Sequence, residues 1–193
     1  MTLILSLAAQ ANETMQMGGI SLNSNRNFKE AKVIINPNPY SSETILIDDI
    51  YYNLNHNSKV AKVTSNPDLY SGTVVIPETI TCEEIEYSVT AIGDSAFFGC
   101  DNLTSITIPN SVLTISHDAF SGCGKLISVT IPNSVKTIGA SAFEGCTNLT
   151  SATISDSVKI IREMVFAFCS NLTSVNIPNG VTSIGWGAFQ YCA

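Results

Sequence analysis

Charge, and positive charge above all, is what this chain has least of. Asp, Glu, Lys and Arg together make up 13% of 193 residues, only nine of them are basic, and the net charge is -7. Nucleic-acid binding needs clustered Lys and Arg to neutralise phosphates, and an anionic membrane surface needs a basic run; the scattered basic residues supply neither. No stretch approaches the roughly 20 apolar residues that span a bilayer. Histidine appears only at His56 and His117. No nucleophile elbow, phosphate-binding loop or paired-carboxylate arrangement accompanies them, so no catalytic residue and no cofactor is expected. The ten acidic and five basic side chains of residues 1–88, against six and four afterwards, place most of the acidity in the first part.

What the chain does have is one pattern written five times. Val89, Val112, Val135, Val158 and Val181 fall 23 residues apart, and Ile92, Phe97 and Cys100 each head an equally spaced series ending at Ile184, Phe189 and Cys192. Leu103, Leu126, Leu149 and Leu172 complete the frame. A fixed period of this length without insertions marks a stacked repeat, in which each copy buries its apolar face only against its neighbours.

Within one copy, Leu103-Thr-Ser-Ile-Thr-Ile108 reads as a strand that ends at Pro109, which has no N–H for the ladder. Side chains alternate across a strand, so Ile106 and Ile108 point inward while Ser105 and Thr107 point out. Val89 and Ile92 belong to a shorter extended segment on another side. Ala96-Phe97 followed by Gly99-Cys100 predicts a tight or short helical turn with Phe97 in the core and Gly99 in a conformation closed to most residues. Phe168 and Tyr191 replace that glycine in later copies. The outward strand positions form a flat, uncharged rank: Ser105, Thr107, Ser128, Thr130, Ser151, Thr153, Ser174 and Asn176. This is the candidate protein-binding face, although Ser and Thr also recur simply because they suit a solvated strand.

Six cysteines suggest disulfides at first. Five of them share one repeat position and would stack with near-parallel Cβ vectors, which a disulfide cannot bridge. No C-x-x-C pair or neighbouring His suggests a metal, so buried free thiols are expected. His117 occupies a position held elsewhere by Asp94, Ala140, Glu163 and Trp186, which indicates a solvent-facing slot rather than a partner for Cys123. Asp48-Asp49 could touch a cation, but adjacent acids in a turn are ordinarily just solvated. Asn102, Asn148 and Asn171 match a glycosylation acceptor, yet the Leu and Thr that follow them belong to the strand frame.

Before the repeats the pattern is less regular. Residues 1–11 are short, apolar and end in Ala9-Gln10-Ala11, as a secretion-signal remnant would. Residues 12–43 read as an Asn/Ser/Pro-rich leader, disordered except for one short strand near Ala31-Lys-Val-Ile-Ile35. Residues 44–88 read as a β-rich N-terminal cap: a hairpin from Ile45 to Thr64, a zeroth repeat strand at Gly72-Thr-Val-Val-Ile-Pro77, and a small excursion through Glu83, Glu84 and Glu86. Residues 89–193 are four full copies and a truncated fifth.

Ser-Val-Lys-Thr-Ile-Gly-Ala-Ser-Ala-Phe-Glu-Gly-Cys-Thr-Asn-Leu-Thr-Ser at 134–151, with Thr130-Ile-Pro-Asn-Ser before it, resembles the BspA-type leucine-rich repeat. The similarity covers 44–193, since Ile50-Tyr-Tyr-Asn-Leu and Tyr70-Ser-Gly-Thr-Val-Val-Ile-Pro resemble segments that precede such repeats in Bacteroidetes proteins. The fourth copy departs from the pattern at Arg162, Met164, Val165 and Phe168, and at Ser155-Asp156. The fold expected is an α/β, β-rich, right-handed leucine-rich-repeat solenoid. It would have 23-residue repeats, a parallel sheet, a short second extended segment, a short helical or 3-10 turn per coil, and an N-terminal β-hairpin cap. The resemblance implies a secreted or cell-surface protein without enzymatic activity that binds a protein ligand from host matrix or bacterial envelope in adhesion or recognition. The alternative is a non-catalytic segment of a larger exported, even enzymatic, protein. Because the sequence stops thirteen residues into the fifth copy, the parent protein is expected to continue, and end-to-end self-association through that uncapped repeat is a further expectation.

Overall fold

The structure is a computed structural model. It describes residues 44–192, together with the backbone of three short strands, β1 (Gln16–Met17), β2 (Ile20–Ser21) and β3 (Lys32–Ile34). The expected export signal at 1–11 and most of the 12–43 leader lie outside the described residues.

Strands β4 (Thr44–Ile47), β5 (Ile50–Asn55) and β6 (Val60–Val63) form an antiparallel meander, with β3 beside β4. Local chemistry sets its turns. Asp48 and Asp49 take left-handed φ angles of 47° and 64°, the two-residue geometry whose twist suits a hairpin. The Asn55 side-chain oxygen accepts from the N–H groups of Asn57 and Ser58, each at 3.1 Å, and shapes the next turn. Tyr52 faces Ile45 on one side and Val63 on the other, and all three are buried.

After the meander comes β7 (Gly72–Val75), then a hairpin of β8 (Thr79–Cys82) and β9 (Ile85–Ile92). That hairpin is the expected excursion, and it closes through Glu83 and Glu84, also left-handed at 50° and 63°. The second half of β9 enters the repeat. It lies parallel to β6, with Val63 opposite Ile92, so the meander and the short segments of the first copies share one sheet.

Two ladders of parallel strands then recur with the period. The first holds the longer strands. β10 (Leu103–Thr107) pairs with β7, the expected zeroth strand, with Val74 opposite Ile106. The second holds β11 (Thr114–Ile115), which pairs with the end of β9. Next come β12 (Ser128–Thr130), which starts a separate parallel sheet and is not paired with β10, and β13 (Thr137–Ile138), beside β11, in the second ladder. Strands β14 (Ser151–Thr153) and β16 (Ser174–Asn176) continue from β12, while β15 (Ile160–Ile161) pairs with β17 (Ser183–Ile184). The second ladder is interrupted between β13 and β15. The break falls at the copy where Arg162 stands in the position held by Gly139 and Gly185. Both of those glycines donate an N–H to the preceding copy, to Ile115 O at 2.8 Å and to Ile161 O at 2.7 Å.

The third side of each copy is a run of turns, and the described residues contain no helix. The expected helical turn gives way because alternate amides leave the copy. Ala96, Phe98 and Cys100 donate to the residue three earlier, whereas Ser95, Phe97 and Gly99 donate to His117, Ala119 and Ser121 of the next copy. Left-handed φ at Ser95 (53°) and Gly99 (67°) turns the chain so that this alternation works. The pattern repeats at every step, through Phe120 to Ala142, Phe143 to Val165 and Phe166 to Ala188 at 2.7–2.9 Å. Phe168 and Tyr191 take the same left-handed conformation as the glycines they replace, at 59° and 57°. Each bears about 1–2 kcal/mol of strain for it. Their rings stack on each other at 4.9 Å, which offsets part of that cost.

The core is the set of recurring letters. From Phe97 to Phe189 the rings stack at 4.9, 5.1, 5.4 and 5.6 Å, each pair within 11° of parallel. Tyr70 closes the first end of that pile, 4.5 Å from Phe97. Its hydroxyl donates to Thr64 O and accepts from the Tyr51 N–H, and its own N–H reaches Cys100 Sγ at 3.3 Å. One tyrosine thereby ties the meander to both the Phe and the Cys columns. Burial raises its hydroxyl pKa well above the usual tyrosine value.

Candidate functional site

The strand alternation that buries Ile106 and Val129 turns Ser105, Thr107, Ser128, Thr130, Ser151, Thr153, Ser174 and Asn176 outward, and all eight are exposed. Parallel pairing aligns six of them in two ranks. Ser128, Ser151 and Ser174 are direct partners in one, and Thr130, Thr153 and Asn176 in the other. The face extends one strand further than the sequence indicated, because Thr73 and Val75 of β7 lie opposite Ser105 and Thr107. The zeroth strand expected at Gly72–Pro77 already fixed the phase of those two residues.

Hydroxyls beside this face are committed to the fold. Thr104 donates to Gly72 O at 3.0 Å, Thr150 to Ile127 O at 3.1 Å and Thr173 to Thr150 O at 3.2 Å, each fastening a strand to the copy before it. At the adjacent loop, Lys125 donates to Asn102 Oδ1 at 2.8 Å and Thr147 to Gly124 O at 3.3 Å. The eight face residues differ: none of their side chains hydrogen-bonds another described residue. Their donors and acceptors are presented to solvent on a sheet without a formal charge in either rank.

The cysteine column has a structural task that spacing alone did not reveal. Cys123, Cys146, Cys169 and Cys192 each donate an S–H to the carbonyl of Phe97, Phe120, Phe143 and Phe166, at 3.1–3.2 Å. The carbonyls of Phe97, Phe120, Phe143 and Phe166 also accept the N–H of the cysteine three residues on, so both lone pairs are used. Cysteine fits because it is small, apolar and still a weak donor. None of the six cysteines is in a disulfide, and burial raises the thiol pKa of Cys100 and Cys169. Cys146 is raised as well, by its hydrogen bond with the Cys123 thiol first and burial second.

His117 faces solvent, 60% exposed, with its Nδ1 2.8 Å from Asp118 Oδ2, whereas Cys123 is fully buried. Among the described residues no three metal-ligating side chains converge, at Asp48-Asp49 or elsewhere, and no helix is long and apolar enough to cross a membrane.

The repeat frame matches the family model of the BspA type leucine rich repeat region over residues 78–193, in six copies. This chain belongs to that family. No functionally curated protein matches it. Among solved structures, this BspA-type repeat protein is similar to a leucine rich cell surface protein of Faecalibacterium prausnitzii, with 26% identity and a TM-score of 0.59 over 78% of this chain and 52% of the other. A leucine-rich repeat protein of Bacteroides capillosus is also 26% identical, with a TM-score of 0.55 over 75% of this chain and 99% of that one. The pneumococcal vaccine antigen PcpA shares the fold at 21% identity and a TM-score of 0.61, over 79% of this chain and 48% of the antigen. The chain thus spans about half the length of the Faecalibacterium protein.

Proposed function

We propose that this BspA-type repeat protein is a non-enzymatic interaction module of a secreted or cell-surface protein, working in adhesion or recognition, and that it binds a protein ligand on its outward strand face. The observation that carries this reading is the division of labour among the hydroxyls. Thr104, Thr150 and Thr173 are spent on joining copies, while the neighbouring ranks leave every donor and acceptor available to a partner. A rigid, flat array of unspent hydrogen-bonding groups can meet an extended ligand with little ordering cost. We read the stack as a right-handed solenoid, with the 44–64 meander covering the first copy's apolar edge through β6 and Tyr70. The cell-surface description of the Faecalibacterium relative supports an exported location for this chain. A second reading, a non-catalytic repeat segment of a larger exported protein, is supported by the half-length coverage of that same relative.

The test is capture. The immobilised chain is challenged with solubilised host-matrix and bacterial-envelope proteins, and the retained ligand is then titrated against a T107E/T130E/T153E variant. Three carboxylates on this face, those at 130 and 153 on directly paired strands about 4.8 Å apart, create a repulsive, strongly hydrated stripe. Affinity for the same ligand falls at least tenfold. Unchanged affinity in a folded triple variant removes the strand face from the mechanism.

A further inference from the structure

The second ladder gathers positive charge that the sequence scatters. Six Lys and Arg fall within residues 44–192, and four of them, Lys62, Lys136, Lys159 and Arg162, are exposed on the outer side of this ladder and of the adjoining β6. Lys62 is the partner of Ala91, which lies beside Thr114 and then Thr137, the residue after Lys136. Lys159 and Arg162 bracket β15. No Asp or Glu stands in the second half of β9 or in β11, β13, β15 and β17. We propose that this face, around Lys136, Lys159 and Arg162, is a second docking surface that takes a short acidic segment of a protein partner. It is independent of the Ser/Thr strand face, which lies on another side of the coil.

The cations are unspent. None of the four makes an ion pair or a side-chain hydrogen bond with another described residue, whereas Lys125 is bound to Asn102 and Lys59 lies over the Tyr87 ring. Asp156 and Glu163 stand in the adjoining turns, and neither pairs with them. The backbone adds donors of the same polarity. Lys136 and Thr182 give their N–H to Leu113 O at 2.9 Å and to Lys159 O at 2.8 Å, as Gly139 and Gly185 do to Ile115 O and Ile161 O. The equivalent N–H groups of Lys159 and Arg162 make no such bond to the copy before them. The break in the ladder thus leaves two amide donors in the same stretch as three unpaired cations, an arrangement that favours an anion.

The surroundings select a peptide as the source of that anion. Leu113 and Ile160, 43% and 50% exposed, adjoin the cations, Leu113 through its bond to Lys136 and Ile160 as the neighbour of Lys159. A segment with two acids and an apolar residue on one face covers both kinds of site. A nucleic acid would need aromatic rings for its bases, and these strands carry none. The whole chain carries a net charge of -7, which repels an anionic bilayer or a long polyanion. A short segment responds to charges within a screening length of roughly 8 Å, and there it meets the cations.

The experiment is a methyl-NMR titration of the full chain with the peptide acetyl-Glu-Ser-Leu-Ser-Glu-amide, which turns both acids and the leucine to one face when extended. Its Gln counterpart is isosteric and neutral. The acidic peptide produces saturable shifts of the Leu113 and Ile160 methyls, and added salt weakens them. The Gln peptide, or the acidic peptide on K136Q/K159Q/R162Q, binds at least tenfold more weakly. All three substituted side chains are exposed, and unchanged Val112 and Leu126 methyls verify the fold of the variant. Equal binding of the two peptides, equal binding by the triple variant, or no shift up to about 10 mM peptide overturns the proposal. Tighter binding of a sulfated heparin disaccharide, or loss of the same methyl signals on phosphatidylserine vesicles, overturns it in favour of a glycan or a membrane surface. The T107E/T130E/T153E variant keeps the peptide shifts, so failure of the strand face would leave this result in place.

Discussion

Phe143→Ala tests the stacked core most directly. Phe143 is fully buried, with Phe120 5.1 Å away on one side and Phe166 5.4 Å on the other. Truncating a buried Phe costs about 3–5 kcal/mol through lost transfer energy and the cavity left behind. Two ring contacts add about 0.5–1.5 kcal/mol each beyond area, and part of that is already contained in the first figure. The backbone bond from Phe143 N–H to Val165 O, 2.9 Å, survives the change, so the copy stays in phase while its centre is hollow. We expect a loss of about 4–5 kcal/mol, a large share of the 5–15 kcal/mol typical of whole domains. At a chain length of this order, that lowers the midpoint by about 8–20 °C. Urea and thermal unfolding followed by circular dichroism measure it, with Phe98→Ala as the control, since Phe98 is 55% exposed and its loss should stay within about 0.5 kcal/mol. Because each copy contacts only its neighbours, the transition also broadens or splits as the two halves of the stack uncouple. A Phe143→Ala change below about 1 kcal/mol would refute the stacked core, because no relaxation short of collapsing the coil could refill that site.

The thiol column and the strained aromatics yield further expectations. In the native protein, maleimide labelling reaches only the half-buried Cys82 and Cys192, and all six cysteines react in denaturant; native labelling at Cys123 or Cys146 contradicts the column. The folded chain keeps protons on Cys100, Cys146 and Cys169 that the unfolded chain releases near 9.0, so stability falls as pH rises past that value, which alkaline urea titrations would measure. At Phe168, glycine removes the left-handed strain but also the ring stacked on Tyr191, so Phe168→Gly is close to neutral, while Phe168→Ala keeps the strain, loses the ring and costs about 1–2 kcal/mol. A more stable alanine variant in urea unfolding would show that the φ of 59° carries no cost.

The sequence by itself determined the periodic part of this protein. A 23-residue period without insertions forces equivalent side chains into contact, so spacing alone puts Val89, Ile92, Phe97, Cys100 and Leu103 at the head of columns. The period-two alternation of Leu103–Ile108 then settled which residues face out. Tertiary structure decided whatever depends on hydrogen bonds between copies or on pieces outside the period. It replaced the expected helical turn with β-turns, because alternate amides bond to the next copy, and spacing carries no information about where an amide points. It assigned Cys123 and its equivalents to a carbonyl 26 residues earlier, beyond the reach of any local pattern. It made Tyr70 the link between meander and stack, and it separated the committed Thr104 from the unspent Ser105 beside it.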